Sequence, residues 1–315
     1  MDDAHDKDRY LVRAQALWTP TDDVSLRVIA DTSQNDESCC TQVGIKPNTN
    51  GTPTNGVPSF DADDFTSFGD ERGDNSDQYG LSAELIVETD IGTLTWIPAY
   101  RKSESETWGD NDWTSADMYF IPEETPNESN IESMTQEIRL QGSAFDEKVD
   151  WLVGFYYSEE EITETSNYHT GPDNWQSMPW TVVAPPPAPG QPPVYLPSGP
   201  SPELWANNSF YQDGETLGIF TPNIISLTDN LNLTVGLRYT EEEKEGGLKD
   251  SDGFNPNCAS LGPALLLPNI ACNAIYTPAS LSPNYDLYKD KFEDEALTYT
   301  LNLQYHLSDD ISVYG

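Results

Sequence analysis

Five short turns of similar composition divide this chain into runs of alternating hydrophobicity, and they constrain its fold more than any other feature. Each turn carries Asp near its centre, a residue whose side chain bonds nearby backbone amides and tolerates left-handed conformations. The turns lie at residues 20–24, 89–93, 145–149, 227–231 and 307–311. Because each joins two alternating runs, they are predicted to be β-hairpin turns.

Long acidic segments separate one turn from the next. They cover roughly residues 33–77, 104–132, 159–213 and 242–294, and we expect them to be loops. Loops of this length are uncommon inside compact domains. Short turns at one end of the strands and long loops at the other are the layout of a transmembrane β-barrel.

Hydropathy excludes a helical membrane protein. Of 315 residues only 36% are hydrophobic, the mean hydropathy is -0.59, and no apolar run approaches the ~20 residues of a spanning helix. A membrane barrel is compatible with these values, because only alternate residues of each strand face lipid.

The charge is strongly acidic and unevenly placed. The formal net charge is -39, from 54 acidic and 15 basic residues, and no Lys or Arg lies between Glu104 and Glu132 or between Ser158 and Thr216. Such a field repels nucleic acid, so no nucleic-acid partner is expected. A large solvated surface also needs charge to stay soluble, so the acidity alone identifies no ligand.

Several runs alternate with the period of two that is typical of strands. The clearest are Tyr10–Trp18, Leu231–Tyr239 and Glu295–Leu307, each close to the length that crosses a membrane at a tilt. Weaker runs bring the total to about ten antiparallel strands in up-and-down order, and they cover residues 24–30, 79–87, 93–101, 135–141, 149–158 and 215–226.

Aromatic residues favour a membrane barrel over a soluble β-sandwich, which would show the same alternation. Tyr10 and Trp18 end one apolar face, and Trp151 and Tyr157 end another. Aromatic girdles at both membrane interfaces are typical of barrels. The predicted fold is therefore all-β, a portion of an antiparallel transmembrane barrel with short periplasmic turns and long extracellular loops.

The four cysteines are candidates for disulfides. Cys39, Cys40, Cys258 and Cys272 lie in two of the long segments, and an even number in an exported protein favours bridges. Three connectivities are possible and the sequence does not choose among them. None of the four has zinc-ligand spacing with a histidine.

Four segments resemble the strands of the TonB-dependent outer-membrane receptors. They are Arg13–Asp23, Gln136–Leu140, Trp151–Glu160 and Gly236–Lys244, and with the last strand the likeness extends from residue 9 to residue 315. The resemblance implies a 22-stranded barrel closed around an N-terminal plug, which imports ferric siderophores, vitamin B12, haem or oligosaccharides. It places the protein in the bacterial outer membrane, in contact with lipid and lipopolysaccharide.

The chain is expected to be a fragment of such a receptor. Its first residues have neither the basic start nor the apolar centre of a signal peptide, and Ile311–Gly315 stops a few residues into a strand. Residues 1–315 are predicted to form a partial barrel domain without the plug. Contact with the TonB complex would require the missing plug.

Candidate ligand contacts are the aromatic residues of the long segments, which offer contact area at low entropy cost. These are Trp108, Trp113, Tyr119, Trp175 and Trp180. Arg139 and Arg238 fall on polar faces that would line the interior. The alternative for both arginines is structural pairing with interior carboxylates such as Glu137.

No enzyme, cofactor or metal site is predicted. His5, His169 and His306 are isolated, and no nucleophile elbow or phosphate loop appears. Residues 61–64 and 109–112 offer oxygen ligands suited to calcium, but neither matches an EF-hand, and the favoured interpretation of both is a solvated acidic loop tip.

The sequence predicts a receptor for energy-coupled uptake of a scarce nutrient such as a ferric siderophore. Two alternatives remain open, a passive outer-membrane porin and a soluble acidic secreted β-sandwich that acts as a binding module.

Overall fold

The computed structural model describes residues 7–38, 72–111, 119–171, 181–184, 194–196, 204–253, 285–308 and 311–315. These residues form thirteen β-strands and no helix. The strands are β1 (Arg9–Thr21), β2 (Val24–Ser38), β3 (Gly73–Thr89), β4 (Gly92–Asp110), β5 (Tyr119–Ile121), β6 (Asn127–Ala144), β7 (Val149–Thr170), β8 (Thr181–Ala184), β9 (Val194–Leu196), β10 (Leu204–Thr228), β11 (Leu231–Gly253), β12 (Tyr285–Ser308) and β13 (Ile311–Tyr314). No helix among these residues has the length and apolarity to cross a membrane.

Eleven strands form one antiparallel sheet, and sequential neighbours pair from β1 to β13. β5 and β6 occupy the same position between β4 and β7, because the chain leaves the ladder only at residues 122–126. The sheet therefore has ten strand positions, as the sequence predicts. β8 and β9 form a separate two-stranded hairpin between β7 and β10.

The described turns are where the sequence places them. Asp22 and Asp23, Asp90 and Ile91, and Asp229 and Asn230 each close a two-residue connection. The turn at 145–148 is more unusual, because three consecutive residues with side chains adopt positive φ values of 59°, 56° and 61°, and only the central one is Asp146. The centre of the fifth turn, residues 309–310, lies outside the described residues.

The strands are much longer than predicted, so the expected loop boundaries were wrong. β7, β10, β11 and β12 contain 22 to 25 residues each, about twice the 9–11 that cross a membrane. Their outer halves lose the apolar alternation but continue the ladder, as in the pairing of Glu245 with Lys291. Opposite charges on adjacent strands support these polar extensions.

One face of the sheet carries a continuous apolar row across nine strands. Residues directly opposite each other in an antiparallel pair share a face, and the register aligns large apolar side chains on β1, β2, β3, β4, β6, β7, β10, β11 and β12. The row is Trp18, Leu26, Leu85, Trp96, Ile138, Phe155, Ile219, Tyr239 and Leu297. We call the surface that contains it the apolar face.

The apolar face is not covered by another layer of the described structure. Trp18, Ile219 and Leu297 expose 62%, 50% and 68% of their surface, and Ile121 is the only buried large hydrophobic residue among the residues whose side-chain burial the structure describes. A soluble sandwich would bury this face against a second sheet. An exposed apolar surface this wide marks an interaction with membrane or protein, which agrees with the barrel prediction and not with the sandwich.

Candidate functional site

The opposite surface, here called the polar face, holds the arginines. All six arginines that lie within described strands are on it, because each pairs in register with polar-face residues of the next strand. These are Arg9, Arg13, Arg27, Arg101, Arg139 and Arg238. By contrast, Lys102, Lys249, Lys289 and Lys291 lie on the same side as the apolar row, near the outer ends of their strands.

Five of these arginines form ion pairs with carboxylates of the same face. Arg9 donates two hydrogen bonds of 2.6 and 2.8 Å to Glu37, and this bond raises the pKa of its guanidinium. Arg27 is 2.8 Å from Glu84. Arg139 is 3.4 Å from Glu137, two residues away on its own strand.

Arg101 and Asp31 form the most constrained of these pairs. Both terminal nitrogens of the guanidinium donate to the two carboxylate oxygens of Asp31 at 3.2 Å, and Arg13 approaches the same carboxylate at 3.9 Å. The guanidinium reaches over Gly80, where a Cβ would lie 2.8 Å from Nη2. Gly80 on β3 therefore leaves the space in which Arg101 of β4 reaches Asp31 of β2.

A small recess adjoins this pair on the polar face. Its volume is about 190 Å³ and its lining includes Asp31, Arg101 and the hydroxyl-bearing residues Ser82, Ser133 and Thr135. Because these hydroxyls both donate and accept hydrogen bonds, the recess suits a neutral polar group.

Arg139 and Arg238, both of which the sequence predicts as candidate ligand contacts, are linked by a series of residues that pair across adjacent strands. Arg139 pairs with Gly154, Gly154 with Phe220, and Phe220 with Arg238. Three strand spacings separate the two arginines, about 14 Å. The ring of Phe220 fills the space between them by lying over Gly154, where a Cβ would be 2.2 Å from Cζ.

The two arginines differ in their surroundings. Arg139 is next to buried Thr95 on β4, and its Nε is buried with no hydrogen-bond partner among the described residues. Arg238 is exposed, its Nε donates a 3.0 Å hydrogen bond to Thr240, and its guanidinium carbon lies 5.9 Å from the centre of the Phe220 ring. Structural pairing with Glu137 accounts for Arg139 but not for Arg238.

The aromatic candidates are dispersed. The ring of Trp108 covers Gly73 at the outer end of β4, on the same side as the apolar row. Tyr119 is on β5 and stacks on Tyr168 of β7 with ring centroids 5.5 Å apart. Trp113, Trp175 and Trp180 lie outside the described residues, as do Cys39, Cys40, Cys258 and Cys272.

Carboxylates dominate the outer extension of the apolar side. Two rows above the apolar band contain Glu159, Glu215, Glu243 and Glu293, and then Glu132, Glu161, Asp213 and Glu245. Lysines partly neutralise them: Lys291 is 2.7 Å from both Glu243 and Glu293, and the hydrogen bonds raise its pKa. Lys289 donates to Glu245 at 2.5 Å and lowers the pKa of that carboxyl.

No group of three or more His, Cys, Asp or Glu side chains able to hold a metal ion occurs within the described ranges. Of the two segments considered for calcium, residues 61–64 and Asp112 lie outside those ranges. Asp110 is buried at the end of β4.

Sequence reasoning missed three contributors to the polar face. Asp31 and Arg101 are 70 residues apart in the chain and meet only because of the strand register. Phe220 is a large aromatic residue on the polar side of its strand, which contradicts simple alternation. The feature that explains its placement is the glycine opposite it, Gly154, and this pairing can be recognised only once the β7–β10 register is known.

Comparison with known proteins agrees with this architecture. A family model described as TonB dependent receptor-like, beta-barrel matches residues 40–315. No curated protein sequence matches the chain. The fold is similar to that of the ferric yersiniabactin uptake receptor FyuA from Yersinia pestis, with a TM-score of 0.59 and 15% identity over 97% of this chain.

The open form of the ferric-catecholate import receptor Fiu from E. coli K12 is also similar. Its TM-score is 0.53, with 15% identity over 98% of this chain. The chain spans 36% of the FyuA structure and 46% of the Fiu structure. At this identity the likeness concerns the fold.

Proposed function

Because the chain belongs to the TonB-dependent receptor-like β-barrel family, a family of receptors and not of enzymes, we propose that it is the wall of an outer-membrane receptor. In this proposal the apolar face contacts lipid and the polar face lines the interior. The receptor takes up a scarce small molecule, a ferric siderophore being the first candidate, with energy supplied through the TonB complex. The ferric-siderophore receptors among its structural neighbours support that choice.

The observation that carries this proposal is the contrast between the two faces of one sheet. Nine strands present an uninterrupted apolar row on one side, while six arginines lie on the other, five of them paired with carboxylates. A membrane on one side and a polar compartment on the other would satisfy both surfaces.

The membrane-spanning part of each strand lies next to the short turns. Residues 231–239 of β11 and 295–307 of β12 alternate between apolar and polar side chains, whereas the segments beyond them are acidic on both faces. The long strands therefore continue past the lipid as a polar wall. Their acidic outer surface would be next to the phosphates of lipopolysaccharide, a contact that requires divalent cations or the lysines of the same rows.

An uptake experiment tests the proposed function. The gene that encodes the full receptor is deleted, and the growth and nutrient uptake of this strain are compared with those of the parent strain at limiting iron chelate, vitamin B12, haem or oligosaccharide. We expect the deletion to abolish the saturable uptake of one of these nutrients. In the parent strain, the same uptake should stop when a protonophore collapses the proton gradient. Uptake that is linear in concentration and insensitive to the protonophore would identify a passive porin instead.

A further inference from the structure

We propose that Arg238 is a binding point for a carboxylate on the polar face. The assignment of this face to the interior rests on the proposed function, but the binding chemistry rests on the geometry of the arginine itself. The occupant is a carboxylate group, supplied either by a small organic acid or by an Asp or Glu of a protein segment inside the receptor.

Arg238 differs from every other arginine in the described strands. The other five are each within 4.0 Å of a carboxylate, whereas no described carboxylate lies that close to Arg238. This difference arises in a chain with 54 acidic residues and only 15 basic ones. Because acidic residues are so abundant, an arginine that has no carboxylate partner among the described residues can bind a carboxylate from another molecule or segment.

The side chain of Arg238 is held in one orientation without being neutralised. Its Nε donates to the Thr240 hydroxyl at 3.0 Å, which is an uncharged acceptor. The guanidinium carbon lies 5.9 Å from the Phe220 ring centre, within the range of a cation–π contact. Nη2 is next to Gly218, where a Cβ would be 3.3 Å away.

Neighbouring small and aromatic residues make this arrangement possible. Phe220 lies over Gly154 because that strand position has no side chain, and Gly218 leaves room for the guanidinium on the same strand as Phe220. Because Nε is already bonded, the two terminal nitrogens remain as a planar fork. Two parallel N–H groups match the two oxygens of a carboxylate.

A carboxylate fits the local charge better than a phosphate does. One guanidinium balances one negative charge, and the next arginine in the row, Arg139, is about 14 Å away and paired with Glu137. A dianion would keep an uncompensated charge in the field of a chain with net charge -39. Preorganisation of the fork reduces the entropy lost on binding.

Arginine labelling measures this site directly in the full receptor purified in detergent. The protein is treated with p-hydroxyphenylglyoxal with and without acetate, a monocarboxylate, and mass spectrometry gives the labelling rate of each strand arginine separately. If the occupant is a small acid, Arg238 is labelled faster than Arg27 without acetate. Acetate at about ten times its Kd then slows the labelling of Arg238 about tenfold and leaves Arg27 unchanged.

A substitution at residue 238 tests whether the carboxylate belongs to a protein segment. The Arg238→Lys variant keeps the charge and introduces an amine that a carbodiimide couples to a carboxylate in contact with it. If the occupant is a protein segment, a crosslinked peptide identifies that segment. Arg27→Lys is the positive control, because its amine is expected to couple to Glu84, which lies 2.8 Å from Arg27 in the parent protein.

Two combined results would overturn the proposal: acetate that does not slow labelling of Arg238, and an Arg238→Lys amine that couples to no carboxylate while the Arg27→Lys control does. Both readouts are independent of transport. A receptor that fails the uptake test but shows the labelling pattern would refute the proposed function and leave this site intact.

Discussion

The ring of Phe220 lies directly over the backbone of Gly154 on the neighbouring strand, at a position where any side chain would collide with it. A Cβ at residue 154 would be 2.2 Å from Cζ and 2.5 Å from Cε2 of the ring. Phe220 in turn contacts the Arg238 guanidinium on its other side. Gly154 thus positions the aromatic ring of Phe220, and Phe220 positions Arg238 on the next strand.

Substitution of Gly154 by Ala is expected to destabilise the sheet. The added methyl group must displace the Phe220 ring, and inserting a methyl group into an occupied site costs about 1–3 kcal/mol. The measurement is the free energy of unfolding in urea from detergent micelles.

Gly236→Ala is the matched control, because it lies on the same face and a Cβ there would meet Thr300 at an ordinary 3.5 Å. It should change stability much less than Gly154→Ala does. Combining Gly154→Ala with Phe220→Ala should recover part of the loss, since the collision is then removed. Equal effects of the two glycine substitutions would show that the ring contact is unimportant.

A charge placed on the apolar face should be far more costly than the same charge on the polar face. Val235 and Thr234 are adjacent near the middle of the proposed membrane span of β11, and they project to opposite sides. Val235→Arg is expected to lower stability in phospholipid vesicles by about 2–4 kcal/mol, the cost of an arginine at the bilayer midplane.

Thr234→Arg serves as the control for backbone and size effects, and we expect it to be close to neutral. The free energies of unfolding of both variants are measured in the same vesicles. If both substitutions cost the same, the assignment of the apolar face to lipid is wrong.

The sequence predicts the part of this fold in which hydrophobicity alternates. The turns at Asp22, Asp90 and Asp229, the antiparallel order and the ten strand positions all follow from local patterns. The outer halves of the strands do not, because a segment such as residues 241–249 is polar on both faces. Its β-structure depends on pairing with β10 and β12, which no local pattern encodes.

For the polar face as well, local sequence patterns predict where the side chains lie but not which residues they contact. Alternation alone places Arg139 and Arg238 on it correctly. Their different surroundings depend on register, because Glu137 is a neighbour of one arginine while Phe220 is opposite the other. Long-range pairs such as Arg101 with Asp31 could not be predicted for the same reason.

The Arg101–Asp31 pair is expected to show a measurable coupling. A double-mutant cycle with Arg101→Gln and Asp31→Asn should give about 0.2–1 kcal/mol, since Arg101 is 53% exposed and solvent screens the pair. Arg101→Lys should lose much of this coupling, because lysine has no two-pronged donor.

Arg13→Gln is the comparison, since Arg13 approaches the same carboxylate only at 3.9 Å. Its coupling with Asp31→Asn should be smaller. A larger coupling for Arg13 than for Arg101 would contradict the geometry. Each cycle requires the free energy of unfolding in urea of the parent protein, the two single variants and the double variant.

The Glu245–Lys289 pair, beyond the proposed membrane span, predicts a specific pH dependence. The hydrogen bond and charge of Lys289 lower the pKa of Glu245 from its ordinary value of 4.5. A carboxyl whose pKa is lower when folded binds protons more weakly than in the unfolded chain. It therefore contributes stability above the ordinary pKa, and this contribution disappears as the pH falls through the lowered value.

Glu245→Gln should consequently reduce the urea midpoint at about pH 7, and this reduction should diminish as the pH falls through the lowered pKa of Glu245. Lys289→Met should return the pKa of Glu245 towards 4.5, as measured by NMR of the labelled carboxyl carbon. Lys291 also lies nearby and lowers this pKa further, so Lys291→Met should produce a smaller shift in the same direction. A Glu245 pKa that Lys289→Met does not raise would show that this pair does not form on the outer strand extensions.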